Sequence, residues 1–252
     1  MEIAVLFKVV PDDQDIQVKA DRTLDFSKAK PKVSEYDLNA IEEAAQLAAA
    51  NPGSKVVAIT VGPKSIDDSK LKKNVLARGV DELVMVADDS LDGLDAYATA
   101  AALAKAVESA GSFDVLLAGD GSADNYAQQV PVQLACVMGL PVVTAATKVD
   151  VDGGAATIER TLENAVETVR VALPAVVAVT PDIALPRIPG MKDILAAGKK
   201  PAAITAEQAP VACATEVVSC LAPESADRKL VVLDAKADGA IDEFAAALKA
   251  AL

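Results

Sequence analysis

Residues 114–142, DVLLAGDGSADNYAQQVPVQLACVMGLPV, restrict the architecture more than any other stretch of the sequence. Residues 114–118 form a short apolar run without alternation, the pattern of a central parallel strand covered on both faces. Gly119 and Gly121 permit a sharp turn and leave space beside the backbone. Val130, Leu134, Val137 and Met138 then recur at helical spacing, and Gly139 stands where a helix ends. A loop running into a helix N-terminus offers free N–H groups and a positive dipole end, which suits a phosphate. An ordinary strand-to-helix turn carries the same glycines. What favours a ligand here is the polar density of Ser122, Asp124, Asn125, Gln128 and Gln129 in one loop.

The same unit recurs along the first 150 residues. Residues 3–10 read as a central strand ended by Pro11, and residues 12–33 as a polar excursion or small hairpin. Leu38, Ile41, Ala45 and Ala48 give a helical stripe with Ser34 or Asp37 as cap, stopped by Asn51, Pro52 and Gly53. Strands follow at 55–61 and 82–86, separated by a helix through Leu71, Val75 and Leu76. Asp95 caps the next helix, which carries Leu103 and Val107. This βαβαβαβαβ order predicts a doubly wound, mostly parallel α/β sheet of Rossmann-like, adenine nucleotide alpha hydrolase-like type. Ligands of such sheets sit beyond the C-terminal strand ends, here after Val9, Val61 and Ala118. After Asp150 the pattern changes to an antiparallel extension (156–162 and 166–171, turning near Asn164), then a buried strand at 175–179. A rigid loop with Pro181, Pro186, Pro189 and Gly190 follows, then a short helix at 193–197. From Ala202 to Pro223 the chain reads as an extended arm, with a strand at 230–233 and a final amphipathic helix through Ile241, Phe244, Leu248 and Leu252. The expected division is 1–201 as the α/β domain and 202–252 as arm and helix.

Composition narrows the function classes. A net charge of −13 argues against nucleic acid, whose phosphates attract basic surfaces. The absence of histidine removes histidine triads and histidine metal ligands from this chain. Apolar content is 52% but aromatic content only 3%, so alanine supplies much of it, as in helices packed closely on a sheet. Cys136 reads as a small core residue; Cys213 and Cys220 read as reduced thiols, since no CxxC pair is present. No secretory n-region precedes the first apolar run, and no segment is long enough to span a bilayer. A cytoplasmic protein without direct membrane insertion is expected. Lys8, Lys199 and Lys200 read as solvated charges, and Glu42 and Glu43 as a solvated helix face.

Several collinear segments resemble the β subunit of electron transfer flavoproteins: EIAVLFKVVPDDQDI, SEYDLNAIEEAAQLAA, VVAITVGP, LARGVDELVMV, LLAGDGSADNYAQQV, ETVRVALPAVVAVTPDIALPRIPGMKDIL and AAGKKP. They cover most of residues 1–201, and LDFSKAK and PGMKDIL bring the likeness to the FixA-like branch. The resemblance implies an electron carrier rather than an enzyme, in an obligate heterodimer with an α subunit that holds most of the redox-active FAD site. The β subunit would hold AMP or a second FAD. The branch is associated with anaerobic carnitine metabolism or nitrogen fixation. Redox partners would be acyl-CoA-dehydrogenase-like or quinone- or ferredoxin-linked.

Carried over by position, the nucleotide site comprises Leu6; Ser34, Glu35, Tyr36 and Asp37; Val61; and Gly119, Asp120, Gly121, Ser122, Ala123, Asp124, Asn125, Tyr126, Ala127, Gln128, Gln129 and Val130. Leu6 and Val61 would flank adenine. Ser122, Asn125, Gln128 and Gln129 would hold ribose and phosphate. Asp120 and Asp124, repelled by phosphate, would cap the helix or meet ribose hydroxyls. Two departures stand out: Asp120 replaces a common Lys or Arg, and Tyr126 narrows the space for a second flavin. The loop of Ala184, Leu185, Pro186, Arg187, Ile188 and Pro189 corresponds to the family's recognition loop, with Arg187 available to an acidic rim on a redox partner. The arm would wrap the α subunit. The rival reading is a standalone adenine-nucleotide-binding regulatory module, which needs only the strand ends and the loop.

Overall fold

A computed structural model describes residues 1–207, 211–224 and 230–251. The first apolar run is shorter than the sequence implies. β1 (Glu2–Leu6) ends at Leu6, and β2 (Val9–Pro11) leaves the main sheet. The break falls where the backbone N–H of Lys8 turns aside to the Asp37 carboxylate. The polar excursion carries β3 (Gln17–Val18), β4 (Leu24–Asp25) and β5 (Pro31–Val33). β3 pairs with β4, and β2 with β5.

Helix α1 (Glu35–Ala50) follows, with Ser34 at the N-cap position. The Ser34 hydroxyl does not cap the helix; it accepts from the Ala123 N–H at 3.3 Å. Then come β6 (Lys55–Gly62), α2 (Ser69–Leu76), β7 (Glu82–Ala87), α3 (Ala96–Ala110), β8 (Val115–Gly119) and α4 (Val130–Met138). Asp68 and Asp95 cap α2 and α3 through their side chains, satisfying N–H groups that a helix start leaves free. Gly139 ends α4 at φ 66°, the left-handed turn in which glycine escapes the Cβ penalty.

β9 (Val142–Asp152), β10 (Ala155–Thr161) and β11 (Val166–Ala172) form an antiparallel extension, and β12 (Ala175–Val179) returns to the centre. The last elements are α5 (Met191–Ala197), β13 (Ala202–Thr205) and α6 (Ala240–Ala251). The main sheet has nine strands in the order β11-β10-β9-β12-β8-β1-β6-β7-β13. From β9 to β13 across this order every neighbour is parallel. The fold is therefore the expected doubly wound α/β sheet with an antiparallel extension.

Alternation along the central strands feeds two cores. Ile3 and Val5 of β1 pack with Ile41, Ala44 and Leu47 of α1 and with Leu71 and Val75 of α2. Ala4 and Leu6 face the other way, toward Leu103 and Val107 of α3 and Leu134 of α4. The chain runs β1, β6, β7 in one direction and then returns to place β8 on the far side of β1. The switch point is thus between β1 and β8, where such sheets open a crevice at their carboxyl ends.

Several expectations need correction. Residues 202–205 are an edge strand paired with β7, because Ala202 to Thr205 continue the parallel register; the arm begins after them. No strand forms at 230–233, where Leu230, Val231 and Val232 are exposed and find no ladder. Leu252, assigned to the last helix, lies outside the described residues. Cys136 and Val137 lie on the outer face of α4, so the buried stripe reduces to Leu134 and its neighbours. Glu42 and Glu43 are both buried, for reasons given below.

Contacts divide the chain into two compact units, Met1–Gln17 with Asp25–Ser219, and Val18–Leu24 with Cys220–Leu252. The second is small. Thr23 bridges Leu221, and Arg22 pairs with Glu224 at 3.1 Å. Its α6 exposes Ile241, Phe244 and Leu248.

Candidate functional site

The switch point holds a cleft lined by the ends of β1, β6 and β8, the start of α3, and the loop from β8 into α4. Its apolar walls are Leu6, Val61, Leu94, Leu103, Ala118 and Val130, and its polar rim is Ser122, Asn125, Gln128 and Gln129. Asp37 fastens the floor. One carboxylate oxygen accepts from the Lys8 N–H at 2.7 Å and the other from the Gly119 N–H at 3.1 Å. A single side chain thus ties the end of β1 to the end of β8. Burial pushes the Asp37 carboxyl up to about 7, against the opposing pull of those two N–H groups. The tie explains Gly119: a Cβ there would lie 2.6 Å from an Asp37 oxygen and 3.0 Å from the Tyr36 backbone.

The loop itself is held from inside. Asp120 is buried and accepts from the Gln128 amide at 2.6 Å. Tyr126 and Gln128 both adopt positive φ, 44° and 56°, as this tight return requires. The Tyr126 ring lies 4.9 Å from that of Tyr36 and covers Gly121, where a Cβ would sit 2.4 Å from the ring. Asp124 accepts from the Lys8 ammonium at 2.6 Å and from the Ser122 hydroxyl. The Lys8 charge, expected to be solvated, is therefore paired.

Of the residues nominated from the sequence, Leu6, Asp37, Val61, Gly119, Asp120, Gly121, Ser122, Asn125, Ala127, Gln128, Gln129 and Val130 line the cleft together. Ser34, Tyr36, Ala123, Asp124 and Tyr126 stand behind them as loop supports. Glu35 points elsewhere, to Lys32 at 3.2 Å. Sequence reasoning missed Phe7, Lys8, Leu94, Ala96, Thr99, Leu103 and Pro131 as lining residues. The α3 wall carries no polar cluster to mark it. Its one signal was the Asp95 cap, which also accepts from the backbone of Ala214 and Thr215 and so fixes that segment beside the helix start.

The proline-rich loop after β12 is the second candidate surface. The Asn39 amide donates to the carbonyls of Pro181 and Ala184 at 3.1 and 2.8 Å. Glu42 takes the Arg187 guanidinium in a fork, at 2.6 and 2.9 Å, and also accepts the Arg187 backbone N–H. Arg78 donates to the Arg187 carbonyl. Gly79 makes room: a Cβ there would meet Ala45 at 2.7 Å and the guanidinium at 3.2 Å. Arg187 is thus paired within the molecule, with Glu42. Burial raises the Glu42 carboxyl, but hydrogen bonds from Arg187 and Gln46 and the Arg187 charge outweigh it and leave it below the usual range. Its neighbour Glu43 has no such cation. Burial first, then the charges of Asp150 and Glu42, push it up to about 7. The loop projects Leu185 and Ile188 at 90% and 94% exposure.

Among the described residues no cluster of acidic or cysteine side chains has metal-holding geometry, and no helix is long and apolar enough to cross a membrane. Fold and cleft together define an α/β domain with a cleft at the carboxyl ends of its central strands. A family model of the electron transfer flavoprotein domain matches residues 22–212. The match spans most of the chain, which therefore belongs to the electron transfer flavoprotein family, a group of flavin-linked electron carriers.

Proposed function

We propose that this chain is the β subunit of a heterodimeric electron transfer flavoprotein of the FixA-like branch, acting in cytoplasmic electron transfer of the anaerobic carnitine type. Its cleft holds an adenine nucleotide, its outer surfaces scaffold an α subunit that carries FAD, and the 184–189 loop docks redox partners. The division drawn from the sequence, 1–201 and 202–252, belongs to the same reading with its boundary moved past the edge strand at Thr205: an α/β domain before it and an α-contacting region after it. The observation that carries it is the coincidence of the family match with a switch-point cleft that is apolar on its walls and polar along one glycine-hinged loop.

The cleft fits an adenine nucleotide. Leu6 and Val61 provide flat apolar contact for a base, and Ser122, Asn125, Gln128 and Gln129 provide donors and acceptors for ribose and phosphate. AMP is the preferred occupant over a second FAD; Tyr126, braced on Tyr36 with ring centroids 4.9 Å apart, stands outside the cleft lining and does not carry that preference. Bound FAD supplies the one- and two-electron chemistry. What this chain contributes is position: it fixes the nucleotide and presents the docking loop, with no bond-making step of its own.

The test is to co-purify the chain with its α partner, denature the complex and quantify released nucleotides. One FAD and one AMP per heterodimer is the expected result. Two FAD without AMP would place a second flavin in this cleft. A stable monomer or homodimer that binds nucleotide without any flavoprotein partner would instead favour a regulatory module.

A further inference from the structure

Among the described residues lining the cleft, the charged side chains are Lys8, Asp37 and Asp120. Both carboxylates are buried and fixed by internal hydrogen bonds. A phosphate entering this cleft meets two buried carboxyl groups and one cation, and that cation is occupied. The Lys8 ammonium lies 2.6 and 2.9 Å from the two oxygens of Asp124. We infer that Lys8 is the phosphate-binding cation of this cleft, and that Asp124 is its resting partner, displaced when a nucleotide phosphate arrives.

The inference rests on the nucleotide reading of the same cleft and adds the charge that the loop lacks. Three features support it. The Lys8 backbone is fixed by Asp37 at the end of β1, so its side chain starts from a defined point at the rim. The Lys8 side chain is 45% exposed and that of Asp124 23%, so both groups keep contact with water when they part. Asp124 keeps the Ser122 hydroxyl when it gives up Lys8, so the carboxylate is not left without a donor. A phosphate carries more charge than a carboxylate and offers more acceptors to the three ammonium protons, which is what decides the exchange in its favour.

Titration calorimetry of the heterodimer with its α subunit, freed of AMP, with AMP and with adenosine tests this. Lys8→Met should weaken AMP binding roughly ten- to hundredfold, the range of a charged hydrogen bond, while adenosine affinity changes less than about twofold. Retained adenosine binding also shows that the variant is folded. Asp124→Asn should tighten AMP binding several-fold, and should lose that effect in the Lys8→Met background, because the two residues act as one pair. Equal loss of AMP and adenosine in Lys8→Met, no loss of AMP, or an Asp124→Asn gain that persists without Lys8 would each overturn the inference. A native heterodimer that binds neither AMP nor adenosine would sink the nucleotide reading itself, and this inference with it.

Discussion

The loop after β8 and the loop after β12 are held by the same helix and turned to opposite uses. Ser34 and Asp37, at the start of α1, hold the β8 loop through Ala123 and Gly119. Asn39 and Glu42, little more than a turn further on, hold the β12 loop through Pro181, Ala184 and Arg187. The first loop curves inward and lines a cleft; the second projects Leu185 and Ile188 almost fully into solvent. The difference lies in what backs each loop. The β8 loop folds on itself through Asp120–Gln128 and runs into a helix. The β12 loop is stiffened by prolines and clamped at Pro181, Ala184 and Arg187, and between those holds it turns Leu185 and Ile188 outward. One helix thus supplies rigidity to a concave and a convex surface, and stiffness at the second lowers the entropy lost on docking.

The largest effects should come from the tie below the cleft. Gly119→Ala pushes a methyl group against Asp37 and the Tyr36 backbone, neither of which can move without opening the β1–β8 junction. Chemical denaturation should show a loss of about 2–3 kcal/mol, the cost of overpacking a fixed core site. Nucleotide retention should fall with it. Glu42→Ala should act on the other loop alone. It removes three hydrogen bonds to Arg187, but the guanidinium can reach water, so the loss should be nearer 1–2 kcal/mol. Amide exchange should accelerate across 184–189 and stay unchanged across 119–130. Acceleration in both loops would show that α1 couples them, and would break the comparison.

Glu43 offers a smaller, pH-dependent effect. Its carboxyl is raised from 4.5 to about 7 in the folded chain, as is that of Asp37 from 3.8. The folded state therefore binds protons that the unfolded state has released, and stability falls as pH rises from about 4 to about 7 before levelling. Glu43→Gln should remove its part of that slope and stabilise the chain at pH 8 by about 1 kcal/mol, discounted for water access. The gap between melting curves at pH 5 and pH 8 should narrow in the variant, leaving the part that Asp37 carries. An unchanged gap would mean that Asp37 carries the whole slope.

The order of strands and the cleft were legible because each leaves a local trace. Apolar runs such as residues 115–118 mark buried parallel strands, and a dense polar loop after glycine marks a ligand end. The clamp was not legible. Glu42 and Glu43 look like solvent-facing helix residues in one dimension, and only the return of the chain at Arg187, far along the sequence, makes Glu42 a buried partner. Lys8 was misjudged for the same reason: Asp124 is 116 residues away. The break of β1 after Leu6 was hidden too, since Val9 and Val10 continue the apolar run while the Lys8 N–H is diverted to Asp37. Long-range charge pairs leave no periodic signal, so composition alone assigns such residues to the surface.

The smallest expected change in stability is the sharpest probe of the convex surface. Leu185→Ser and Ile188→Ser remove side chains that touch little of their own molecule, so stability should shift by less than about 0.5 kcal/mol. If the loop docks, the same variants should raise the KM for a dehydrogenase that reduces the flavin while leaving kcat and the flavin spectrum unchanged, because only binding is lost. Glu42→Ala should reproduce that KM increase with both apolar side chains still present, since a loosened loop loses more entropy when it docks. A KM that responds to Leu185 but not to Glu42 would mean that the exposed contacts matter and the clamp does not, and the two loops would then differ in what α1 gives them as well as in shape.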